Sequence, residues 1–145
     1  MKAAACAKHF AVHSGPEGLR HHFDAKASLK DMWETYLPAF KALVQEGDVR
    51  EVMCAYNSID GEPCCGNTTY LQQILRNEWG FKGMVVTDWG VKNNPVAEVK
   101  AGNDLKMHCG YPEDLKAAYD KGELTTADLE LCTKRILEMM IRMAD

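Results

Sequence analysis

Three apolar, strand-forming runs of this chain each end on polar side chains that can do chemistry. The first ends at Lys8-His9-Phe10. The second carries Met53 and ends at Tyr56-Asn57. The third, Gly83-Met84-Val85-Val86-Thr87, stops on Asp88-Trp89-Gly90. An ionised carboxylate cannot stay unpaired in an apolar core without a large desolvation cost, so Asp88 must face a partner or a substrate. If the three runs are parallel strands, an ammonium, an imidazole, a phenol, a carboxylate and an indole gather on one rim. Polar groups of these kinds suit sugar hydroxyls, and an aromatic ring suits a sugar face. Catalytic groups of α/β barrels sit at such carboxyl ends of strands.

The elements that would position these groups alternate along the chain. A strand over 3–10 leads through a loop containing His13, His21 and His22 to an amphipathic helix over 28–46, with Ser28 and Asp31 as its capping pair. Trp33, Tyr36, Leu37, Phe40 and Val44 recur there at helical spacing and are expected in the core, while Pro38 should kink the helix or move its boundary. A second strand over 49–56 is followed by a turn-rich loop, 57–68, and a helix over 69–78 with Leu71, Ile74 and Leu75 inward. After the third strand, Asn93-Asn94-Pro95 breaks the chain before a short helix, 96–101. A fourth short strand is expected over 103–108, then helices over 113–121 and 126–143, the last capped by Thr125 or Thr126. Strands alternating with helices imply a parallel sheet with right-handed crossovers. Four strand–helix units do not close an eight-stranded barrel, so spacing alone allows a small open α/β sheet or half of a (β/α)8 barrel.

Composition narrows the partners. The chain has 145 residues, enough for one core, and a formal net charge of −4, which argues against electrostatic attraction to nucleic acid. No apolar run approaches the ~20 residues that span a bilayer, and Met1-Lys2 opens no signal peptide. The six cysteines, Cys6, Cys54, Cys64, Cys65, Cys109 and Cys132, form no C-x-x-C pair. They read as packing or loop thiols rather than zinc ligands, which favours a reducing, cytoplasmic setting. The histidines of the first loop lack a convergent third ligand, so no metal is expected.

Several segments, in order, resemble glycoside hydrolase family 3, the family of β-glucosidases and β-xylosidases. They are Lys8-His9-Phe10, Tyr36-Leu37-Pro38-Ala39-Phe40, Met53-Cys54-Ala55-Tyr56-Asn57, Gly61-Glu62-Pro63-Cys64, Ile74-Leu75-Arg76-Asn77-Glu78-Trp79-Gly80-Phe81, Val85-Val86-Thr87-Asp88-Trp89-Gly90 and Ala101-Gly102-Asn103-Asp104-Leu105. The resemblance favours the half barrel: one partial amino-terminal barrel domain over 1–145. It implies hydrolysis of terminal non-reducing β-D-glycosides by a retaining mechanism, with no cofactor and a β-linked oligosaccharide or glycoside as partner. Asp88 matches the family nucleophile. Lys8 and His9 match a pair that hydrogen-bonds sugar hydroxyls, and Arg20 matches a subsite arginine. Met53 and Tyr56 match positions beside the nucleophile, and Trp89 matches an aromatic wall. Asp104 falls on a strand that supports the site and is taken as structural.

The chain also departs from the family. A complete (β/α)8 barrel runs to about 250 residues, and only the second half is recognisable here. In the glucosidase branch the acid/base carboxylate lies on a following domain. In the β-N-acetylglucosaminidase branch an Asp–His dyad follows the Lys-His-Phe motif; His21 matches its histidine, but Leu19 occupies the aspartate's place. Gly15-Pro16-Glu17 looks more like the xylosidase side, and Asp88-Trp89-Gly90 more like the glucosidase side. Two functions follow: a β-glycosidase fragment that needs an amino-terminal half and a carboxyl-terminal domain, or a non-catalytic half-barrel that self-associates or binds sugar.

Overall fold

The computed structural model describes residues 3–108 and 110–144. Cys109 and the Met1-Lys2 pair lie outside them. The central sheet contains β1 (Cys6–Phe10), β3 (Glu51–Cys54) and β6 (Met84–Val86), in the order β1-β3-β6 with both pairings parallel. Helices follow each strand, and the sheet with its crossovers forms half of a (β/α)8 barrel. The register of β1 on β3 shifts between Ala7 and Phe10.

The expected fourth strand is reduced to a single parallel bridge between Leu105 and Val86. The backbone there still pairs with β6: Asp104 and Leu105 donate to the Val85 carbonyl at 2.9 and 3.1 Å, and Thr87 donates to Leu105 at 3.0 Å. Beyond the bridge the Met107 amide donates to the Thr87 side-chain oxygen at 2.9 Å instead of to a backbone carbonyl, and the Lys106 ammonium pairs with Glu98 at 2.6 and 2.8 Å.

A second small sheet was not legible in the sequence. It joins β2 (Asp24–Ala25) in parallel to β4 (Ser58–Ile59), which pairs antiparallel with β5 (Glu62–Pro63). The 57–68 loop is thus tied to the loop after β1. Asp24 reinforces the tie by accepting from the Gly61 amide at 2.8 Å.

The expected helix over 28–46 is interrupted. α1 (Leu29–Asp31) starts at Ser28, whose hydroxyl accepts from the Asp31 amide at 3.1 Å and donates to its carboxylate at 2.7 Å. A π-helical turn (Met32–Tyr36) follows, and Pro38 opens α2 (Pro38–Gln45) at a position where its missing N–H costs nothing. The wide turn rotates Trp33 out to 42% exposure, correcting its expected core position; Tyr36, Leu37, Phe40 and Val44 do pack on the core. The segment Thr69–Glu78 is also π-helical and buries Leu71, Ile74 and Leu75. Asn94 caps α3 (Pro95–Ala101), its side chain accepting from Val96 and Ala97. α4 (Pro112–Asp120) and α5 (Thr126–Ala144) complete the chain, with Thr125 and Asp128 exchanging bonds at the start of α5. Among the described residues, no helix is long and apolar enough to cross a membrane.

Side-chain alternation on β3, and on β1 the register shift between Ala7 and Phe10, separate core from site. Ala7 and Phe10, Val52 and Cys54 face the helices in one core, whereas Lys8, His9 and Met53 are exposed or half-buried. Phe10 meets Phe40, Tyr70 and Trp79 edge-on at 5.0, 6.4 and 6.0 Å. Such aromatic pairs add about 0.5–1.5 kcal/mol each beyond area burial, and here they anchor the strand end that carries His9. Entry into β6 requires Gly83: a Cβ there would stand 2.1 Å from the Arg50 carbonyl oxygen. Behind β6, Asp104 is held by Arg76 at 2.6 Å, Arg135 at 3.0 Å and the Val85 amide at 2.8 Å. Burial pushes the Asp104 carboxyl up, against the pull of the two guanidiniums. Asp104 therefore locks the sheet to α5 and is a structural group.

Candidate active site

Each strand of the central sheet delivers one part of the rim. From β1 comes His9, from the residue pair after β3 comes Tyr56, and directly after β6 come Asp88 and Trp89. The Asp88 side chain is 15% exposed, and both of its oxygens have donors nearby: Oδ1 accepts from the Trp89 amide at 2.7 Å, and Oδ2 lies 3.2 Å from His9 Nε2. Burial, then the neighbouring His13, holds the His9 imidazole below its ordinary pKa, against the opposite pull of Asp88. A neutral imidazole with its proton on Nε2 donates to the carboxylate without titrating it.

Tyr56 ties the strand ends together. Its hydroxyl donates to the Trp89 carbonyl, and burial together with the Asp88 charge pushes its pKa up, so it remains a phenol. The Arg20 guanidinium lies 5.5 Å from the centre of the Tyr56 ring and pairs with Glu17 at 2.9 Å. Trp89 is 60% exposed, its indole standing upright against His108 at 5.1 Å between centroids. An exposed indole beside a fixed carboxylate offers an apolar wall for a ring that approaches Asp88.

The other expected site residues lie on β1 and β3. Lys8 is exposed on β1, and its charge acts on His9. Met53 is half-buried on β3, where it pairs in register with Val86. The structure thus brings His9, Tyr56, Asp88 and Trp89 into one connected group, with Arg20 stacked on its edge. Lys8 and Met53 lie on the strands that carry this group.

Residues not singled out for the site also join it. His13, in the loop after β1, is half-buried and packs on His9 at 4.3 Å between ring centroids. The preceding residue, Val12, is buried with φ 57°, a strained conformation for a β-branched side chain and one that occurs at functional rims. His21 packs against Tyr56 at 4.2 Å. Beside Tyr56 opens a cavity of about 330 Å³ lined by His21, His22, Gly90, Val91, Lys92 and Asn93. The available signal was position: these residues directly follow the ends of β1 and β6, where barrel enzymes place their loops.

Residues 1–139 match the glycosyl hydrolase family 3 N-terminal domain. A xylan 1,4-beta-xylosidase of Xylanibacter ruminicola is 44% identical over 153 residues, covering 94% of this chain and 18% of that protein. Beta-glucosidase A of Butyrivibrio fibrisolvens is 42% identical over 123 residues, covering 85% of this chain and 15% of its own length. Beta-glucosidase 3B of Thermotoga neapolitana, solved in complex with alpha-D-glucose, superposes with a TM-score of 0.91 at 33% identity, over 97% of this chain and 21% of that one. The chain therefore spans about a fifth of the length of these relatives. With the family model matched along almost its whole length, the chain belongs to glycosyl hydrolase family 3.

Proposed function

We propose that this chain is the nucleophile-bearing part of a longer retaining β-glycosidase that removes a terminal non-reducing β-D-glucosyl or β-D-xylosyl unit. The observation that carries the reading is the Asp88 carboxylate, held by one donor on each oxygen at the mouth of a parallel sheet. In the first step an Asp88 oxygen bonds to the anomeric carbon while the bond from that carbon to the leaving oxygen breaks, through an oxocarbenium-like transition state. The leaving oxygen takes a proton from a general acid. Water then cleaves the glycosyl-aspartate ester, restoring Asp88 and releasing the sugar.

The remaining groups have supporting roles. His9 orients Asp88 and, with Lys8 and Arg20, binds sugar hydroxyls. Tyr56 fixes the 88–90 turn and stays protonated beside the nucleophile. Trp89 packs on the sugar or its leaving group, and Met53, in register with Val86, contributes to the sugar pocket from β3. In the glucosidase branch that the sequence resembles, the acid/base carboxylate lies on a following domain, and the general acid is assigned to that part of the longer enzyme. General acid catalysis contributes about 10²–10⁴-fold, so the chain by itself is nearly inactive. The test is labelling of the enzyme that carries this chain with a 2-fluoro glycoside, followed by peptide mapping. A stable ester on the Asp88 peptide is expected. Labelling elsewhere overturns the assignment.

A further inference from the structure

The cavity beside Tyr56 has a composition that the hydrolysis of a neutral glycoside does not require. Its volume of about 330 Å³ lies at the small end of the ~300–1,000 Å³ found for ligand pockets. Its lining contains Lys92, His21 and His22 and no carboxylate. Lys92 is exposed, and among the described residues it forms no ion pair. The Asn93 Nδ2 amide is buried without a hydrogen-bond partner. The wall is therefore rich in donors and cationic in a chain whose net charge is −4. Arg20, at the Tyr56 ring, adds a further cation, although Glu17 offsets it.

Position gives the cavity a role. Tyr56 is shared between it and the Asp88 group, and Gly90-Val91-Lys92-Asn93 follow directly from Asp88-Trp89. For a glycoside whose anomeric carbon faces Asp88, this wall is the adjoining surface onto which a leaving group can extend. We propose that the cavity is a leaving-group subsite selective for a carboxylate, borne by a uronic acid or by a carboxylated phenol, with Lys92 as the principal selecting residue. Lys92 supplies the charge, Asn93 Nδ2 and the histidine N–H groups supply donors, and the absence of a lining carboxylate avoids repulsion. This inference rests on the glycosidase reading of Asp88.

The test uses the enzyme that carries this chain, with Asp88→Asn to prevent turnover, and titration calorimetry of matched ligands. One pair is 4-carboxyphenyl β-D-xyloside and its carboxamide; the other is β-D-xylosyl-D-glucuronate and its glucuronamide. In at least one pair the acid is expected to bind about three- to tenfold more tightly than the amide. Lys92→Met should bring that ratio close to one. The pair that shows the preference identifies the phenolic or uronic source. Equal binding of acid and amide in both pairs, or a preference unchanged by Lys92→Met, overturns the proposal. Turnover of the amides by the Asp88 form separates the two readings. Turnover without acid preference removes only the subsite, whereas acid preference without turnover keeps the acidic-ligand site and removes the glycosidase assignment.

Discussion

His9 Nε2 lies 3.2 Å from Asp88 Oδ2, so the outer strands of the central sheet meet across β3 at their carboxyl ends. Phe10 is fixed in the aromatic core directly after His9, and Trp89 bonds back to Asp88 directly after the carboxylate. Neither group can drift without disturbing packing or backbone. This arrangement gives the nucleophile a defined direction.

Removal of the carboxylate should therefore abolish chemistry without unfolding the protein. In the enzyme that carries this chain, Asp88→Gly should lower kcat roughly 10³-fold or more and leave the circular dichroism spectrum unchanged. Azide, entering the space left by the side chain, should restore part of the turnover and give a glycosyl azide of the α configuration. Steady-state kinetics and product analysis check this. Wild-type turnover in Asp88→Gly contradicts the assignment.

The His9 imidazole gives stability a pH dependence. Its pKa is held below 6.5, the ordinary value, chiefly by burial. As pH falls, the unfolded chain takes up this proton before the folded one does. The contribution is fully present above about pH 6.5 and is lost as the pH drops through and below that value. Denaturation midpoints measured between pH 8 and pH 5 should fall less steeply for His9→Gln than for the unmutated protein. Parallel pH profiles would show that His9 is not perturbed by the fold.

Much of this architecture was legible because it follows from local rules. The run into Asp88 is long, apolar and β-branched, and the Ser28–Asp31 cap and the Asn94-Pro95 helix start each use a single chemical device. What escaped detection depends on tertiary partners. Trp33 fits a helical stripe, but the π-helical turn Met32–Tyr36 rotates it outward. The 103–108 segment fits a strand, but after a single bridge the Met107 amide takes the Thr87 hydroxyl as its acceptor in place of a backbone carbonyl. The small sheet joining Asp24–Ala25 to Ser58–Ile59 has two-residue strands, too short to leave a periodic pattern. At the site, Asp88, His9 and Tyr56 sit at readable strand ends. His13 and Lys92 lie in loops, and only the folded backbone shows what they face.

Asp104 offers a prediction separate from catalysis. Its side chain is fully buried between Arg76 and Arg135, which are 6% and 14% exposed. Asp104→Ala leaves two guanidiniums facing each other behind β6, and loss of one partner from such a buried group costs about 3–5 kcal/mol. Asp104→Asn keeps an acceptor for the Val85 amide and should cost less. Urea unfolding, followed by the fluorescence of the buried Trp79, measures both. Equal, small losses would show that the network contributes little.

The last prediction concerns the chain by itself. Among the described residues, the outer edges of β1 and of the bridge at Leu105 have no strand neighbour, and unpaired strand edges favour association. On α5, Leu137, Met140 and Ile141 are 52%, 57% and 64% exposed, so one helix also presents apolar surface to water. A barrel closed by four further strand–helix units would cover the edges, and a second copy can do so as well. The purified 145-residue chain should therefore self-associate at micromolar concentration, and Leu137→Glu with Ile141→Lys should reduce the association. Light scattering across a dilution series distinguishes the outcomes. A monodisperse monomer of the unmutated chain would show that the half-barrel closes its own edges, and would remove the physical reason for requiring a missing half.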